Sequence, residues 1–211
     1  MKRFGLPLAS VASVALLSAG VARAEDDNVN RPVHATRRSD FTAGLSVGAA
    51  FGRASGYPNE VQKIDDTAYR QNTKLGAGPD QFLWLGVAFN DYLTFGLGFG
   101  GVSLTGNDRT GKATIYGFHI DAYPLFDLNK NLQDLGVFAN IGTGPLTITG
   151  GGREDAKGGA MSYLEGGLVY ERLRLWRFGI GPTLSVSHMW SETAKLTATQ
   201  AGLRVAIYTG P

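Results

Sequence analysis

From Asp40 onwards, apolar residues fall on every second position along most of the chain. In the first run the intervening positions are Thr, Gly, Ser or Ala, so one face of the segment is apolar and the other is small and weakly polar. Period-two alternation of this kind predicts a β-strand whose two faces meet different surroundings. The apolar set of this run is Phe41, Ala43, Leu45, Val47, Ala49 and Phe51.

Seven further runs complete the pattern, which predicts eight strands in all. Five alternate clearly, with apolar faces that start at Leu93, Tyr116, Leu135, Phe178 and Ala201. Runs 81–90 and 160–171 have a less distinct parity, and their best outward sets are centred on Leu85 and Leu168. Each strand is long enough to supply the ~9 to 11 tilted residues that cross a bilayer.

The second face of these strands decides between two all-β architectures. A soluble sandwich would expose Lys and Glu on it, whereas this face carries Gly, Thr and Ser. Small inward residues suit the interior of a narrow barrel whose apolar face is turned to lipid. The sequence therefore predicts an all-β fold, an eight-stranded antiparallel up-and-down transmembrane β-barrel over residues 40–209.

The predicted connections alternate between long loops and short turns. Long loops are expected at 53–78, 106–112 and 145–159, and a further loop at 191–196; the other connections are turns at 90–91, 125–133 and 172–175. Because both chain termini of such a barrel face the periplasm, the long loops are expected outside the cell. Aromatic residues near the periplasmic strand ends predict a girdle at the lipid boundary. They are Phe41, Tyr92, Tyr123, Tyr170, Trp176 and Tyr208.

The N-terminus has the pattern of an export signal. Lys2 and Arg3 precede an apolar run, which ends in Ala22-Arg23-Ala24, so residues 1–24 are predicted to be a cleaved signal peptide. Residues 25–39 are polar and aperiodic, which predicts a flexible periplasmic lead-in. Cleavage would remove three of the 20 basic residues and none of the 18 acidic ones, leaving a mature chain close to neutral.

Composition excludes several other classes. The absence of Cys rules out a disulfide scaffold, thiolate metal sites and a Cys nucleophile. A charged fraction of 18% with balanced signs does not indicate nucleic-acid binding. We expect no cofactor and no metal. The 30 glycines show no triplet repeat, which excludes collagen and fits a barrel whose interior must stay narrow.

Two glycine motifs resemble phosphate-binding loops. Residues 106–113 come within one position of a P-loop, and residues 96–101 satisfy G-x-G-x-x-G. Both motifs require a helix directly after the glycines, whose N-terminus would face the phosphate. Strand patterns surround both segments, so we interpret the first as a hairpin connection and the second as part of a strand.

Four charged or titratable residues have inward parity and form the candidate site. His119, Asp121, Glu165 and Arg204 would project into a lumen narrow enough for side chains to meet across it. Away from bulk water such charges must be paired, so we expect Arg204 to bind Glu165 or Asp121. This lumenal polar network would fill the barrel and leave no open diffusion channel.

Together, these features resemble the small outer-membrane β-barrels of Gram-negative bacteria, the OmpA/OmpX-like class. The resemblance covers residues 40–208 and is one of pattern, without a diagnostic motif. It implies an assembly signal at Gln200, Gly202, Val205, Ile207 and Tyr208, read by the barrel-assembly machinery. It also implies an outer-membrane location among lipopolysaccharide, in a chain expected to be monomeric.

The sequence predicts a structural or surface-interaction role through the outer loops, with an unknown extracellular partner and no catalytic residues. Three alternatives stay open: a lipid A-modifying barrel enzyme, a small pore, and a soluble periplasmic barrel that binds an apolar ligand. The enzyme would use candidates such as His188 with Ser187, which strand parity places on opposite faces. The soluble barrel requires an apolar lumen and a polar exterior, the reverse of the predicted parity.

Overall fold

The computed structural model describes residues 36–128 and 130–210, all of them in one antiparallel sheet and its connections. The predicted signal peptide and most of the predicted lead-in lie outside the described residues. Within the described ranges, no helix has both the length and the apolar character needed to cross a membrane.

Twelve strands make up the sheet among the described residues. In chain order they are β1 (Asp40–Gly56), β2 (Gln71–Asn72), β3 (Gly76–Asn90), β4 (Leu93–Gly106), β5 (Arg109–Ala122), β6 (Leu135–Gly144), β7 (Leu146–Gly150), β8 (Ala156–Lys157), β9 (Met161–Tyr170), β10 (Leu173–Leu175), β11 (Phe178–Trp190) and β12 (Ala194–Tyr208). Eight long segments form the barrel wall, and one of these segments consists of two strands, β6 and β7. Three short strands, β2, β8 and β10, lie in the connections.

The sheet closes on itself. Each wall strand pairs with its neighbour in sequence, β6 and β7 share the pairing with β5, and β1 pairs with the last strand, β12, over fifteen positions from Thr42↔Tyr208 to Gly56↔Ala194. Closure leaves the barrel wall without the free edge strands that an open sheet would offer to another chain. The predicted eight-stranded antiparallel up-and-down barrel is confirmed.

The predicted parity of the strands is also confirmed. On β1 the even-numbered residues face the lumen, and the apolar odd-numbered residues face outward with Phe51 55% exposed. The two runs of uncertain parity resolve as expected, since Leu85 on β3 and Leu168 on β9 face outward. Trp84 fills the lumen beside Gly44, where an added Cβ would overlap the indole ring. Small inward residues thus make room for a few large ones.

The outward apolar residues form a continuous band around the barrel. On β1 the band runs from Phe41 to Phe51, eleven residues, which at ~3.3 Å per residue and a tilt of ~40° span about 25 Å along the barrel axis. Its two edges are rich in aromatic rings. Phe99 and Tyr116 contact each other at one edge, with 5.2 Å between ring centroids, and Trp176 and Phe178 lie at the other, 6.5 Å apart.

Beyond Phe51 and Tyr116 the two faces exchange character. Outward positions there carry polar or basic side chains such as Arg53, Lys112 and Lys195. The inward positions at the same end form an aliphatic core, fully buried or nearly so. That core includes Leu104, Ile115, Leu146, Ile148, Met161, Met189 and Leu196. One end of the barrel therefore has the apolar exterior of a membrane protein, and the other has the apolar interior of a soluble one.

The connections differ in length from those predicted. We call the end with the 91–92, 123–134 and 171–177 connections the turn end, and the opposite end the loop end. At the loop end β4 and β5 are joined by Asn107 and Asp108 alone, with φ of 53° and 57°, a two-residue hairpin of the type I′ kind. The loops predicted at 106–112 and 191–196 are thus too long, because strand pairing extends into them. Only residues 57–75 and 151–160 are long at this end.

Candidate functional site

The middle of the lumen holds the four predicted charged residues. Arg204 donates to Asp121 through both terminal nitrogens, with Nη1 2.6 Å from Oδ1, and its Nε lies 3.3 Å from Glu171 Oε1. The guanidinium also stacks 4.1 Å from the centre of a Trp84 ring. Of the two acids expected to bind Arg204, the structure places Asp121 there and Glu165 elsewhere.

A second group of contacts connects Glu165 to the first. Asn140 Nδ2 donates to Glu165 Oε2 at 2.6 Å, and its Oδ1 lies 2.6 Å from His119 Nδ1. The other ring nitrogen of His119 lies 3.1 Å from Asp121 Oδ2. The four residues are therefore brought into one chain of contacts through Asn140. The hydroxyls of Tyr163 and Ser185 also contact the Glu165 carboxyl, at 2.8 Å from Oε2 and 2.6 Å from Oε1.

At the turn end, a cluster that sequence reasoning missed closes the lumen. Arg38 is fully buried, with Nη2 3.1 Å from Asp134 Oδ1 and 3.5 Å from Glu171 Oε2. Tyr208 donates from its hydroxyl to Glu171 at 3.0 Å. We name Arg38, Tyr123, Asp134, Glu171 and Tyr208 the turn-end cluster. Burial alone would lower the pKa of Arg38, but the Glu171 and Asp134 carboxylates beside it outweigh burial and hold that pKa above its ordinary range.

The segment that carries Arg38 belongs to the predicted flexible lead-in. Its backbone is instead held by a side chain from the 91–92 turn, because the amides of Arg37 and Arg38 donate to Asp91 Oδ1 at 2.7 and 2.8 Å. Arg37 adds an ion pair to Asp134 at 2.9 Å. The Arg38 side chain thus inserts into the barrel, and the described part of the lead-in, residues 36–39, is held at the turn end. No alternation marked this segment, since a single inserted side chain has no period.

Little free space remains between these groups. The cavity bounded by Asp80, His119, Glu165 and Arg204 has a volume of about 10 Å³, at the lower limit for a single water. Toward the loop end the aliphatic core continues the packing, and toward the turn end the turn-end cluster does so.

The residues considered for catalysis are separated. Ser187 faces the lumen and is fully buried, whereas His188 faces outward, where its Nδ1 lies 2.8 Å from Thr197 Oγ1 and its ring stacks on Trp190. A hydroxyl and a base must be within hydrogen-bond reach to act as a nucleophilic pair. Among residues 36–128 and 130–210, no group of three or more His, Asp or Glu side chains could hold a metal ion.

The predicted assembly signal lies on both faces of β12. Gln200 and Gly202 point inward, and Gln200 accepts from Ser185 at 2.8 Å; Val205 and Ile207 point outward, half-buried. Tyr208 is inward and 2% exposed. Tyr123 is buried beside it, 3.4 Å between hydroxyls, so these two aromatics do not form part of the outer girdle that strand-end position predicted for them. Their rings instead pack against arginines.

At the loop end, two loops form one surface. We call residues 57–75 loop 1 and residues 151–160 loop 3, because the hairpin at Asn107 and Asp108 is the second connection at this end. Lys63 of loop 1 pairs with Glu154 of loop 3, and Arg153 Nη1 donates to the Ala68 carbonyl at 3.0 Å. The hydrogen bond between Lys63 and Glu154 raises the pKa of the amine and lowers the pKa of the carboxyl. A groove of about 290 Å³ lies between the loops, lined in part by Pro58 and Tyr69.

Comparison with known proteins supports the fold. No family model and no curated protein matches the sequence. Among solved structures, the chain is similar to Ail, the attachment invasion locus protein of Yersinia pestis, with a TM-score of 0.50, 12% identity, and coverage of 80% of this chain and 99% of that one. For neisserial surface protein A the TM-score is 0.47 at 11% identity, with 78% and 96% covered. The chain has the fold of the small eight-stranded outer-membrane β-barrels.

Proposed function

We propose that this chain is an integral outer-membrane β-barrel, closed to solutes, that displays loops 1 and 3 as a recognition surface outside the cell. The exchange of polarity between the two faces carries the proposal. A soluble barrel would need a polar exterior along its whole length, whereas here the polar exterior begins only beyond Phe51 and Tyr116. The band below them has the ~25 Å height of a membrane-spanning barrel.

The orientation follows from the two ends of the barrel. The first strand begins at the turn end and the last strand finishes there, so both termini of the barrel lie at this end. In barrels of this class the end that carries the termini and the short turns is the periplasmic one. Loops 1 and 3 then face outward from the cell, among lipopolysaccharide. Export through a signal peptide at residues 1–24, and insertion by the barrel-assembly machinery, belong to the same proposal.

Packing of the lumen supports a closed barrel over a pore. An ion crossing it would meet the aliphatic core, then the Arg204 and Glu165 contacts, then the turn-end cluster. Opening such a path would require these packed side chains to move apart and the buried charge pairs to separate. We therefore assign the function to the loops, which present an exposed Val61 in loop 1 and an exposed Tyr69 in the groove.

Because the chain lacks Cys, single introduced thiols can test location and orientation together. Val61→Cys places a thiol in loop 1, at a residue 89% exposed, and Lys130→Cys places one at the turn end. A membrane-impermeant maleimide applied to intact cells should label the first variant and spare the second until the outer membrane is opened. Equal labelling of both, or recovery of the protein in the soluble fraction, would refute the membrane placement.

Planar-bilayer recording tests the closed lumen separately. The purified, heat-modifiable protein should give no steady conductance steps in a lipid bilayer. Steady unitary steps that disappear when the protein is heat-denatured before insertion would show a pore instead.

A further inference from the structure

A cavity of about 320 Å³ opens at the turn end, between the two ends of the described chain and the β10–β11 hairpin. Three of its lining side chains are arginines and none is acidic. The lining comprises Thr36, Arg37, Arg174, Trp176, Arg177, Tyr208 and Gly210. Pockets of this size accommodate a small ligand or headgroup, and this lining selects an anion.

Two of the arginines are held in place before any ligand arrives. Arg37 Nη2 donates to Asp134 at 2.9 Å and Arg174 Nη2 to Glu171 at 3.0 Å, while the Arg174 guanidinium stacks 5.0 Å from the centre of the Tyr208 ring. The Nε atoms of both arginines are buried and have no hydrogen-bond partner among residues 36–128 and 130–210. Each guanidinium is thus fixed by a carboxylate while its side chain lines the cavity.

The third arginine is free to bind. Arg177 has no carboxylate within ion-pair distance in the described part of the chain; its guanidinium lies 5.0 Å from the centre of the Trp176 ring. Trp176 is 81% exposed and adopts a φ of 56°, in a two-residue turn between Leu175 and Phe178. Glycine is the usual residue at such a position. A large aromatic residue held there points to a role beyond the turn itself.

The position of the cavity identifies the source of the anion. Leu173, Leu175 and Phe178 on the same hairpin are exposed apolar residues at the edge of the apolar band. Tryptophan prefers the depth of lipid headgroups, so the cavity lies where the phosphates of a leaflet would be. Guanidinium groups bind phosphate oxygens in a planar, bidentate manner.

We propose that this arginine-lined cavity binds the phosphate of an inner-leaflet phospholipid, with Arg177 as the free ligand and Arg37 and Arg174 as the fixed ones. The inference rests on the proposed membrane placement, because only that placement brings the turn end to the inner leaflet. The bound lipid would fasten the N-terminal segment and the β10–β11 hairpin to the membrane surface.

The test uses the refolded full-length mature protein in a phosphate-free neutral detergent, with bound lipid counted by native mass spectrometry. The probes are phosphatidylglycerol, diacylglycerol with the same acyl chains, and inorganic phosphate. Wild type should retain one phosphatidylglycerol per chain. Arg177→Gln should weaken its apparent affinity about tenfold, the scale of one lost charge-assisted contact. Diacylglycerol should bind no better to wild type than to the variant.

Arg172→Gln is the matched control. Arg172 is exposed, lies in the same connection and does not line the cavity, so its loss should leave the affinity as in wild type. Equal weakening by both variants, or none by Arg177→Gln, would overturn the site. Inorganic phosphate binding as tightly as the lipid would overturn the lipid source. If the protein fractionates as soluble in cells, the proposed function fails; a heat-modifiable membrane barrel with unchanged Arg177→Gln binding refutes only this inference.

Discussion

The guanidinium of Arg38 lies 3.4 Å from the centre of the Tyr123 ring, inside the turn end of the barrel. A residue outside every strand thereby reaches the lumen and contacts the residue that follows β5. Burial, and then the Glu171 carboxylate, raise the pKa of Tyr123 well above its ordinary value. The phenol is therefore neutral at physiological pH, and Arg38 stacks on an uncharged ring while its charge is balanced by Asp134 and Glu171.

Replacement of Arg38 should destabilise the barrel strongly. Arg38→Met removes the buried cation that Asp134 and Glu171 share. Because Arg37 and Arg174 still pair with these carboxylates, we expect a loss of about 3 kcal/mol, the lower end of the cost of breaking a buried pair. Thermal unfolding in detergent, followed by loss of heat-modifiable gel mobility, measures it. Arg37→Met is the control, since that side chain is 27% exposed and should cost clearly less. Equal losses in the two variants would show that burial of Arg38 is not what matters.

The Arg204–Asp121 pair should show the asymmetry of buried charges. Arg204→Met is expected to lower stability by about 3 to 5 kcal/mol, because it strands a carboxylate in the lumen. Adding Asp121→Asn removes that charge, so the double variant should be more stable than Arg204→Met alone. Thermal unfolding of wild type, Arg204→Met, Asp121→Asn and the double variant completes a double-mutant cycle. A double variant no better than the single one would mean that Asp121 is neutralised by another group.

Close packing of Gly44 against Trp84 predicts a steric effect. An added methyl at position 44 would overlap the indole ring, so Gly44→Ala should cost about 1 to 3 kcal/mol through overpacking. Ala49→Val on the outward face of the same strand is the control, and it should fold as wild type does. Chemical denaturation of both variants in the same detergent compares them. An unperturbed Gly44→Ala would indicate that Trp84 can move aside freely.

The contact between loops 1 and 3 should govern protease sensitivity. Glu154→Gln removes the ion pair between Lys63 and loop 3, leaving at most a weaker neutral hydrogen bond, and should speed trypsin cleavage after the exposed Arg70. Glu60→Gln removes only the contact of Lys63 within loop 1, seen at 2.9 Å, and should have a smaller effect. Rates of nicking on SDS gels discriminate between them. Similar rates in both variants would show that the loops associate without this pair.

The same contact predicts a pH dependence. Because the pKa of Glu154 is lowered in the folded loops, the pair stabilises the contact above the ordinary carboxyl pKa of ~4.3 and weakens as the pH falls below it. Pepsin should therefore nick loop 1 of wild type faster as the pH is lowered through this range. Because pepsin activity itself varies with pH, the readout is the ratio of the two nicking rates at each pH: wild type should be nicked more slowly than Glu154→Gln above this range, and the two rates should converge below it.

How much of this could be read from the sequence differs between the wall and its ends. The alternation predicted which residues of each strand face inward, because successive side chains point to opposite faces of the sheet and the two faces have different surroundings. Runs such as 41–51 and 93–99 therefore predicted the barrel, and the inward parity of His119, Asp121, Glu165 and Arg204 placed them correctly in the lumen.

The ends of the barrel were less accessible to this reasoning. Arg38 and Glu171 carry no periodic signal, and their partners come from four different connections or strands, so only closure of the barrel brings them together. The two-residue hairpin at Asn107 and Asp108 was not predicted, because the sequence there indicated a longer loop. Its flanking residues look polar enough for a loop, yet at this end of the barrel polar residues are the outward face of continuing strands.

In the proposed membrane placement, the exchange of polarity between the two ends of the barrel also sets its depth in the bilayer. A downward shift by two residues, about 5 Å along the axis, would draw Arg53, Lys112 and Lys195 toward hydrocarbon. An upward shift would expose the apolar band to water and lift Trp176 from the opposite headgroups. Either displacement moves charged side chains into hydrocarbon or apolar side chains into water. In this placement the barrel therefore resists sinking, rising and tilting.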